Sequence, residues 1–272
     1  MIKKTRLICS LLLVLLFLPA AVAAAEKEPL LHAKAAILID SETGEVIFAK
    51  NADEKRQPAS TTKILTAILA IECCDDLDHP VVVSKHAASI GESSINLLAS
   101  DVISFNDLLH GALINSGNDA CVALAEAIAP SEEEFVGMMN LKAKLLGAEN
   151  TSFCSTNGLP ADDHLTNAAD LAVITRYALK NPVFAGIVNK KTYTLRWISP
   201  PHSRKIKNTN MLLWSLPQAT GVKTGTTVKA GKCLVASASD GKREVITVVL
   251  NSLDRFGDAQ RLLLYGLYEK GN

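Results

Sequence analysis

Two side chains with chemical potential lie three positions apart in residues 58–70, a run in which apolar residues recur at helical spacing. Positions i and i+3 of a helix share a face, so Ser60 and Lys63 would point together from the first turn. A buried, neutral amine can take the proton of a serine hydroxyl, and free N–H groups at a helix start favour developing negative charge. The spacing therefore indicates nucleophilic catalysis. An isolated Ser-x-x-Lys is short and common, however, and by itself favours a surface helix with a capping serine and a solvated lysine.

Two later triplets separate these interpretations. Ser-Gly-Asn at 116–118 interrupts two predicted helices, and Lys-Thr-Gly at 223–225 lies on a predicted strand. Ser-x-x-Lys, Ser-x-Asn and Lys-Thr-Gly, in that order and at wide spacing, form the three-part signature of penicillin-binding proteins and serine β-lactamases. Each fragment alone is weak evidence. All three in order, each on the expected kind of element, favour catalysis.

The chain resembles the D-alanyl-D-alanine carboxypeptidases, which are low-molecular-weight penicillin-binding proteins of peptidase family S11. The resemblance runs from about residue 35 to the C-terminus and includes stretches beyond the three triplets, at 60–67, 113–120, 208–210, 230–238 and 255–259. In that family Ser-Gly-Asn is a usual middle motif. Gly117 in place of Asp therefore favours this family over the class A β-lactamases.

The resemblance implies an enzyme that removes the terminal D-alanine from peptidoglycan stem peptides, without a metal or cofactor, and that β-lactam antibiotics inhibit covalently. Ser60 would attack the carbonyl between the two D-alanines, and Lys63 would take its proton. Ser116 would relay that proton to the leaving amine. Asn118 would hydrogen-bond the substrate's amide. Water would then hydrolyse the acyl-enzyme.

The same resemblance implies how the substrate is held. The oxyanion would lie between the backbone N–H groups of Ser60 and Thr226. Lys223, Thr224 and Arg255 would bind the free C-terminal carboxylate, a contact that makes the enzyme a carboxypeptidase. Arg255 has an alternative role as a salt-bridge residue at a helix start. None of the six histidines lies in a family motif, so we expect surface or structural roles for them.

The hydrophobic pattern predicts an α/β protein. Two extended runs at 35–40 and 45–50 flank a turn-rich gap, the middle of the chain is helical, and strands return near the C-terminus before a last helix, at 193–198, 221–225, 233–239 and 245–250. This order predicts one antiparallel sheet built from both chain ends and flanked by helices, with an all-helical lobe inserted at about 76–185. This is the β-lactamase/transpeptidase-like fold that the resemblance implies.

Composition and the first residues bound the setting. Basic and acidic residues both number 28, so no basic excess argues for nucleic acid. A basic start, an apolar run over 7–22 and an alanine cluster predict a signal peptide at 1–25 and a catalytic domain at 26–272. An uncleaved anchor is the alternative. We expect an exported protein, in the periplasm or cell wall, with no stable membrane anchor after cleavage. Five cysteines follow the leader, and this odd number favours buried free thiols.

Two other functions compete. A serine β-lactamase of the same fold would use the same acylation residues, but class A enzymes deacylate with a Glu-containing loop, and Glu-x-x-Leu-Asn does not occur between 118 and 223. A non-catalytic peptidoglycan-binding protein is disfavoured because every residue of the three motifs is intact.

Overall fold

The computed structural model describes residues 28–269, so the predicted leader lies outside the described residues. Its main sheet has five strands: β1 (Ala35–Asp40), β2 (Val46–Lys50), β7 (Ala219–Thr227), β8 (Gly231–Ser239) and β9 (Glu244–Ser252). All neighbours are antiparallel, in the order β2-β1-β9-β8-β7. The prediction of a sheet built from both chain ends is confirmed.

The central strands read as continuous apolar runs because both faces of the sheet are covered. Alternate residues belong to two separate cores, as the two-residue period of a strand requires. Ile37, Val235 and Val248 face the larger core, which also contains most of the helices. Leu38 and Leu234 face a smaller core, which is closed by the C-terminal helix.

Most of the helices lie in the chain between strands β2 and β7. The helices are α1 (Lys63–Glu72), α2 (Lys85–Ser89), α3 (Phe105–Ile114), α4 (Asn118–Ile128), α5 (Glu132–Leu145), α6 (Ala168–Leu179), α7 (Pro182–Val188), α8 (Leu212–Ser215) and α9 (Arg255–Leu264), with a π-helical turn at Tyr265–Glu269. Ser104 and Ser131 cap α3 and α5, because their hydroxyls accept hydrogen bonds from the backbone N–H groups of Asp107 and Glu134. Among residues 28–269, no helix has the length and apolar character needed to cross a membrane.

A second sheet corrects two predictions. Its four antiparallel strands are β3 (Pro80–Val82), β4 (Val102–Ser104), β5 (Thr192–Ser199) and β6 (His202–Lys207). The run at 193–198 therefore belongs to this sheet rather than to the main one, and the lobe is not wholly helical. Two contacts account for the pairing: Trp197 lies opposite Ile103, and its buried indole N–H donates to Asp101 at 3.0 Å.

The cysteines follow the prediction in part. All five that the structure describes are free thiols, but only Cys121 and Cys233 are buried. Cys73 and Cys154 are exposed. Cys73 directly follows the end of α1, and Cys154 lies on the loop after α5.

Candidate active site

Ser60 lies on a single 3₁₀ turn, Ala59–Thr62, that leads directly into α1. The sequence predicted an ordinary helix start at this point. Ala59 has a φ of +49°, a left-handed conformation that is rare for a residue with a side chain and that clusters at functional sites. Strand β7 packs tightly against this turn. A Cβ atom on Gly225 would lie 3.0 Å from the backbone nitrogen of Ser60, so only glycine allows this approach.

Lys63 begins α1 and is fully buried. Its Nζ lies 2.8 Å from Ser60 Oγ, 2.8 Å from Asn118 Oδ1 and 2.6 Å from the carbonyl oxygen of Asn157. Burial lowers the pKa of Lys63 from an ordinary 10.5 to about 8, although the charges of Cys121, Asp119 and Glu92 oppose this shift. A neutral amine is therefore accessible near neutral pH.

The partners of Lys63 also fix the direction of its lone pair. Amide and backbone carbonyl oxygens accept hydrogen bonds and cannot donate them. The two hydrogens of a neutral Lys63 amine are thus used by Asn118 and Asn157, and the lone pair is left facing the hydroxyl of Ser60. This is the geometry of a base directed at its nucleophile.

Asn118 begins α4 and has a role that the sequence did not predict. Its Oδ1 accepts from Lys63, and its Nδ2 donates to the carbonyl of Gly91 at 3.0 Å. Its backbone N–H donates to the carbonyl of Ser93. Asn118 therefore links Lys63 to the loop at 91–93, and one amide hydrogen remains that these contacts do not use.

Lys223 and Ser116 form a second contact group. Lys223 is 1% exposed on β7, and its Nζ donates to Ser116 Oγ and to the carbonyl of Thr224, both at 3.0 Å. Burial lowers the pKa of Lys223 well below its usual range, and the cations of Lys63 and Arg255 lower it further. Ser116 has a φ of +66° at the break between α3 and α4. This conformation turns the backbone and brings the Ser116 hydroxyl to Lys223.

The remaining predicted residues lie at one end of β7. Thr224 Oγ1 hydrogen-bonds Thr209 Oγ1 at 2.6 Å. Arg255 begins α9, and its Nη1 donates to the carbonyl of Gly225 at 2.9 Å and to Thr226 Oγ1 at 2.7 Å. In the described part of the chain, no carboxylate lies within ion-pair distance of Arg255. The alternative role of Arg255 as a helix-start salt-bridge residue therefore has no support in this part of the chain.

Sequence motifs did not identify Asn157 as a partner of Lys63. The atom involved is a backbone carbonyl, which every residue type carries, so no residue pattern could have revealed it. Thr209 was part of a stretch that resembles the family, but its contact with Thr224 joins elements that only the fold brings together.

The chain belongs to peptidase family S11, the D-alanyl-D-alanine carboxypeptidases, whose family model matches residues 22–254. The fold and the arrangement of the three motifs agree with this assignment.

Curated relatives and solved structures extend the comparison. The chain is 41% identical to the D-alanyl-D-alanine carboxypeptidase DacF of Bacillus subtilis, over 81% of this chain and 58% of that protein. It is 33% identical to a D-alanyl-D-alanine carboxypeptidase of Streptomyces sp. strain K15, over 92% of each chain. The crystal structure of the Streptomyces K15 DD-transpeptidase superposes with a TM-score of 0.85 at 32% identity, over 88% of this chain and 98% of that one. The chain spans 58% and 66% of the lengths of DacF and of Escherichia coli DacC.

Proposed function

We propose that this protein is a serine-type D-Ala-D-Ala carboxypeptidase that removes the terminal D-alanine of peptidoglycan stem peptides through an acyl-enzyme on Ser60. The observation that carries the proposal is the buried Lys63 amine, which lies 2.8 Å from Ser60 Oγ with carbonyl acceptors on its other sides. Family membership and the named activity of the relatives support the same reaction.

In the acylation step, neutral Lys63 takes the Ser60 hydroxyl proton while Oγ bonds to the carbonyl carbon between the two D-alanines. The resulting oxyanion would lie between the backbone N–H groups of Ser60 and Thr226. The tight approach of Gly225 to the Ser60 nitrogen supports this position, because it brings the following residue of β7 beside the nucleophile.

The intermediate then collapses, and the bond between the carbonyl carbon and the leaving nitrogen breaks. The proton taken by Lys63 would return to that nitrogen through Ser116, and D-alanine leaves as a neutral amine. Lys223, Thr224 and Arg255 would hold the free carboxylate of the substrate. The Arg255 guanidinium, which lies 2.7 Å from Thr226 Oγ1 at this end of β7, supports this role. Water hydrolyses the ester and restores the Ser60 hydroxyl.

We further propose that β-lactams acylate the same serine and that the enzyme acts outside the cytoplasmic membrane, after removal of a leader over residues 1–25 from the catalytic domain at 26–272. The wall peptide substrate implied by family membership supports this location. N-terminal sequencing of exported protein should begin near residue 24 or 26. Protein that retains Met1 and stays in the membrane pellet would contradict the cleaved leader.

Labelling tests the nucleophile. After treatment with penicillin, intact mass and peptide mapping should place one adduct on Ser60. Lys63→Ala should remain folded and lose at least about a hundredfold in acylation rate, because the proton acceptor is gone. A label that survives Ser60→Ala would overturn the assignment.

A further inference from the structure

We propose that His164 is a positioning residue that holds the nucleophile turn, Ala59–Thr62, through a directed hydrogen-bond chain. This inference rests on the function proposed above. His164 lies on the loop after α5, is 1% exposed, and takes no part in the three motifs. Its two ring nitrogens face two different parts of the site.

The direction of each bond in the chain is determined by its neighbours. The backbone N–H of Cys154 donates to His164 Nδ1 at 3.0 Å, so this nitrogen carries no proton. In a neutral ring the proton is therefore on Nε2, which lies 2.8 Å from Thr62 Oγ1. Thr62 Oγ1 in turn donates to the carbonyl of Ala59 at 2.8 Å. The hydrogen-bond chain therefore runs from the Cys154 N–H through His164 and Thr62 to the Ala59 carbonyl.

The chain ends at the residues that flank the reacting groups. Ala59 directly precedes Ser60 and has the left-handed φ of +49°. Such a left-handed conformation is strained for a residue with a side chain and persists only where surrounding contacts hold it. Thr62 directly precedes Lys63. One hydroxyl therefore links the residue before the nucleophile to the residue before its base.

The same loop also contacts the base directly. Asn157 supplies the carbonyl that accepts from Lys63, and a Cβ atom on Gly158 would lie 2.0 Å from the carbonyl oxygen of Ala59. The hydrogen bond from the Cys154 N–H to His164 Nδ1 joins two residues of this loop. His164 thus joins the loop that orients the lone pair of Lys63 to the turn that presents Ser60.

The ring of His164 is neutral near neutral pH. Burial, followed by the nearby Lys63 cation, lowers the pKa of His164 to about 4. A neutral ring is also needed by the chain, because a protonated Nδ1 could not accept from Cys154.

Two substitutions distinguish the contribution of His164 Nδ1 from that of Nε2. In His164→Gln the side-chain amide reaches the position of Nε2 and can donate to Thr62. In His164→Asn the shorter amide oxygen can replace Nδ1 but does not reach Thr62. The assay is stopped-flow penicillin acylation, which resolves the rate at saturating penicillin from the dissociation constant of the preceding complex.

We expect His164→Asn to lower the saturating acylation rate about 100-fold with little change in the dissociation constant, since a small misplacement of reacting atoms has an effect of this size. His164→Gln should stay within about fivefold of the wild type, because its amide replaces the Nε2 donor. Thr62→Val should match His164→Asn, and combining the two should cause no further loss because they break one chain.

His110 supplies the matched control. It is also a buried histidine whose pKa is lowered to about 4, but its ring contacts Asn106, Lys190 and Tyr193 rather than the nucleophile turn. His110→Gln should lower the melting temperature and leave the acylation rate unchanged. A purely structural role for His164 would make its variants behave in the same way.

Several outcomes would overturn the inference. They are an unchanged acylation rate in His164→Asn, equal losses in the Asn and Gln variants that follow their melting temperatures, or additive losses in the double variant. If His164→Asn does not fold, an unchanged rate in Thr62→Val is decisive against the chain. A wild-type protein that penicillin does not label on Ser60 would refute the proposed function instead.

Discussion

The most informative perturbation of the site is Asn118→Asp, which places a carboxylate against Lys63. Burial already lowers the pKa of Lys63 from 10.5 to about 8. At pH 7 about one Lys63 amine in ten is then neutral, against about one in three thousand for an exposed lysine. This difference corresponds to about 3 kcal/mol in the free energy of forming the base.

The carboxylate should reverse much of this effect. Asn118 Oδ1 lies 2.8 Å from Lys63 Nζ, and an opposite charge this close favours the protonated amine by about 1–3 pKa units. The pKa of Lys63 should therefore rise to about 9–11, and acylation at pH 7 should fall about 10- to 1,000-fold. The wild-type rate should rise about tenfold per pH unit and level off above about pH 8.

The assay is the second-order acylation rate with a fluorescent penicillin over about pH 6 to 10. Asn118→Asp should recover at high pH, whereas Asn118→Ala should lose rate without an upward shift of its profile, because it removes a contact and adds no charge. The charges of Lys63 and Lys223 interact, so the apparent pKa belongs to the pair. A wild-type profile that is flat through pH 8, or an unshifted profile in Asn118→Asp, would refute Lys63 as the base.

Three further predictions concern other parts of the molecule. Gly225→Ala places a Cβ 2.8 Å from the backbone oxygen of Pro58, so the turn must move and penicillin acylation should fall at least about tenfold; an unchanged rate would contradict the close approach. Arg255→Met should lower kcat/KM about 10- to 100-fold for a peptide with a free C-terminal carboxylate and less for its C-terminal amide, whereas equal losses would exclude carboxylate binding. His110 and His164 bind fewer protons in the folded than in the unfolded protein, because their folded pKa values are lowered to about 4. Their contribution to the free energy of unfolding, measured by urea titration, should be complete above about pH 6.5 and fall by about 3 kcal/mol per histidine towards pH 4. A free energy of unfolding that increases towards pH 4 would show that the sign is wrong.

Much of the fold could be predicted from local patterns. The two strands β1 and β2 depend on residues close in sequence, and the structure confirms that they pair. The second sheet could not be predicted in this way. It pairs β4 with β5 across about ninety residues, and short strands such as Val102–Ser104 carry too little periodicity to reveal a partner.

The site divides along the same line. Ser60 and Lys63 are close in sequence, and their predicted contact is present at 2.8 Å. The three motifs identified which distant residues belong together, but not which atoms meet. The carbonyl of Asn157 and the ring of His164 reach the site only through the packing of one loop against the nucleophile turn, and their residue types give no signal of it.

We propose that Ser60 forms an acyl-enzyme which water hydrolyses for peptides but not for penicillins. The most direct measurement follows D-alanine release from a diacetylated Lys-D-Ala-D-Ala peptide, alongside the fate of bound penicillin, with purified wild-type protein and Ser60→Ala. We predict multiple turnovers of D-alanine and a long-lived penicillin adduct for the wild type, and neither for Ser60→Ala. Rapid turnover of the β-lactam with no D-alanine released would contradict the carboxypeptidase reaction and identify a β-lactamase instead.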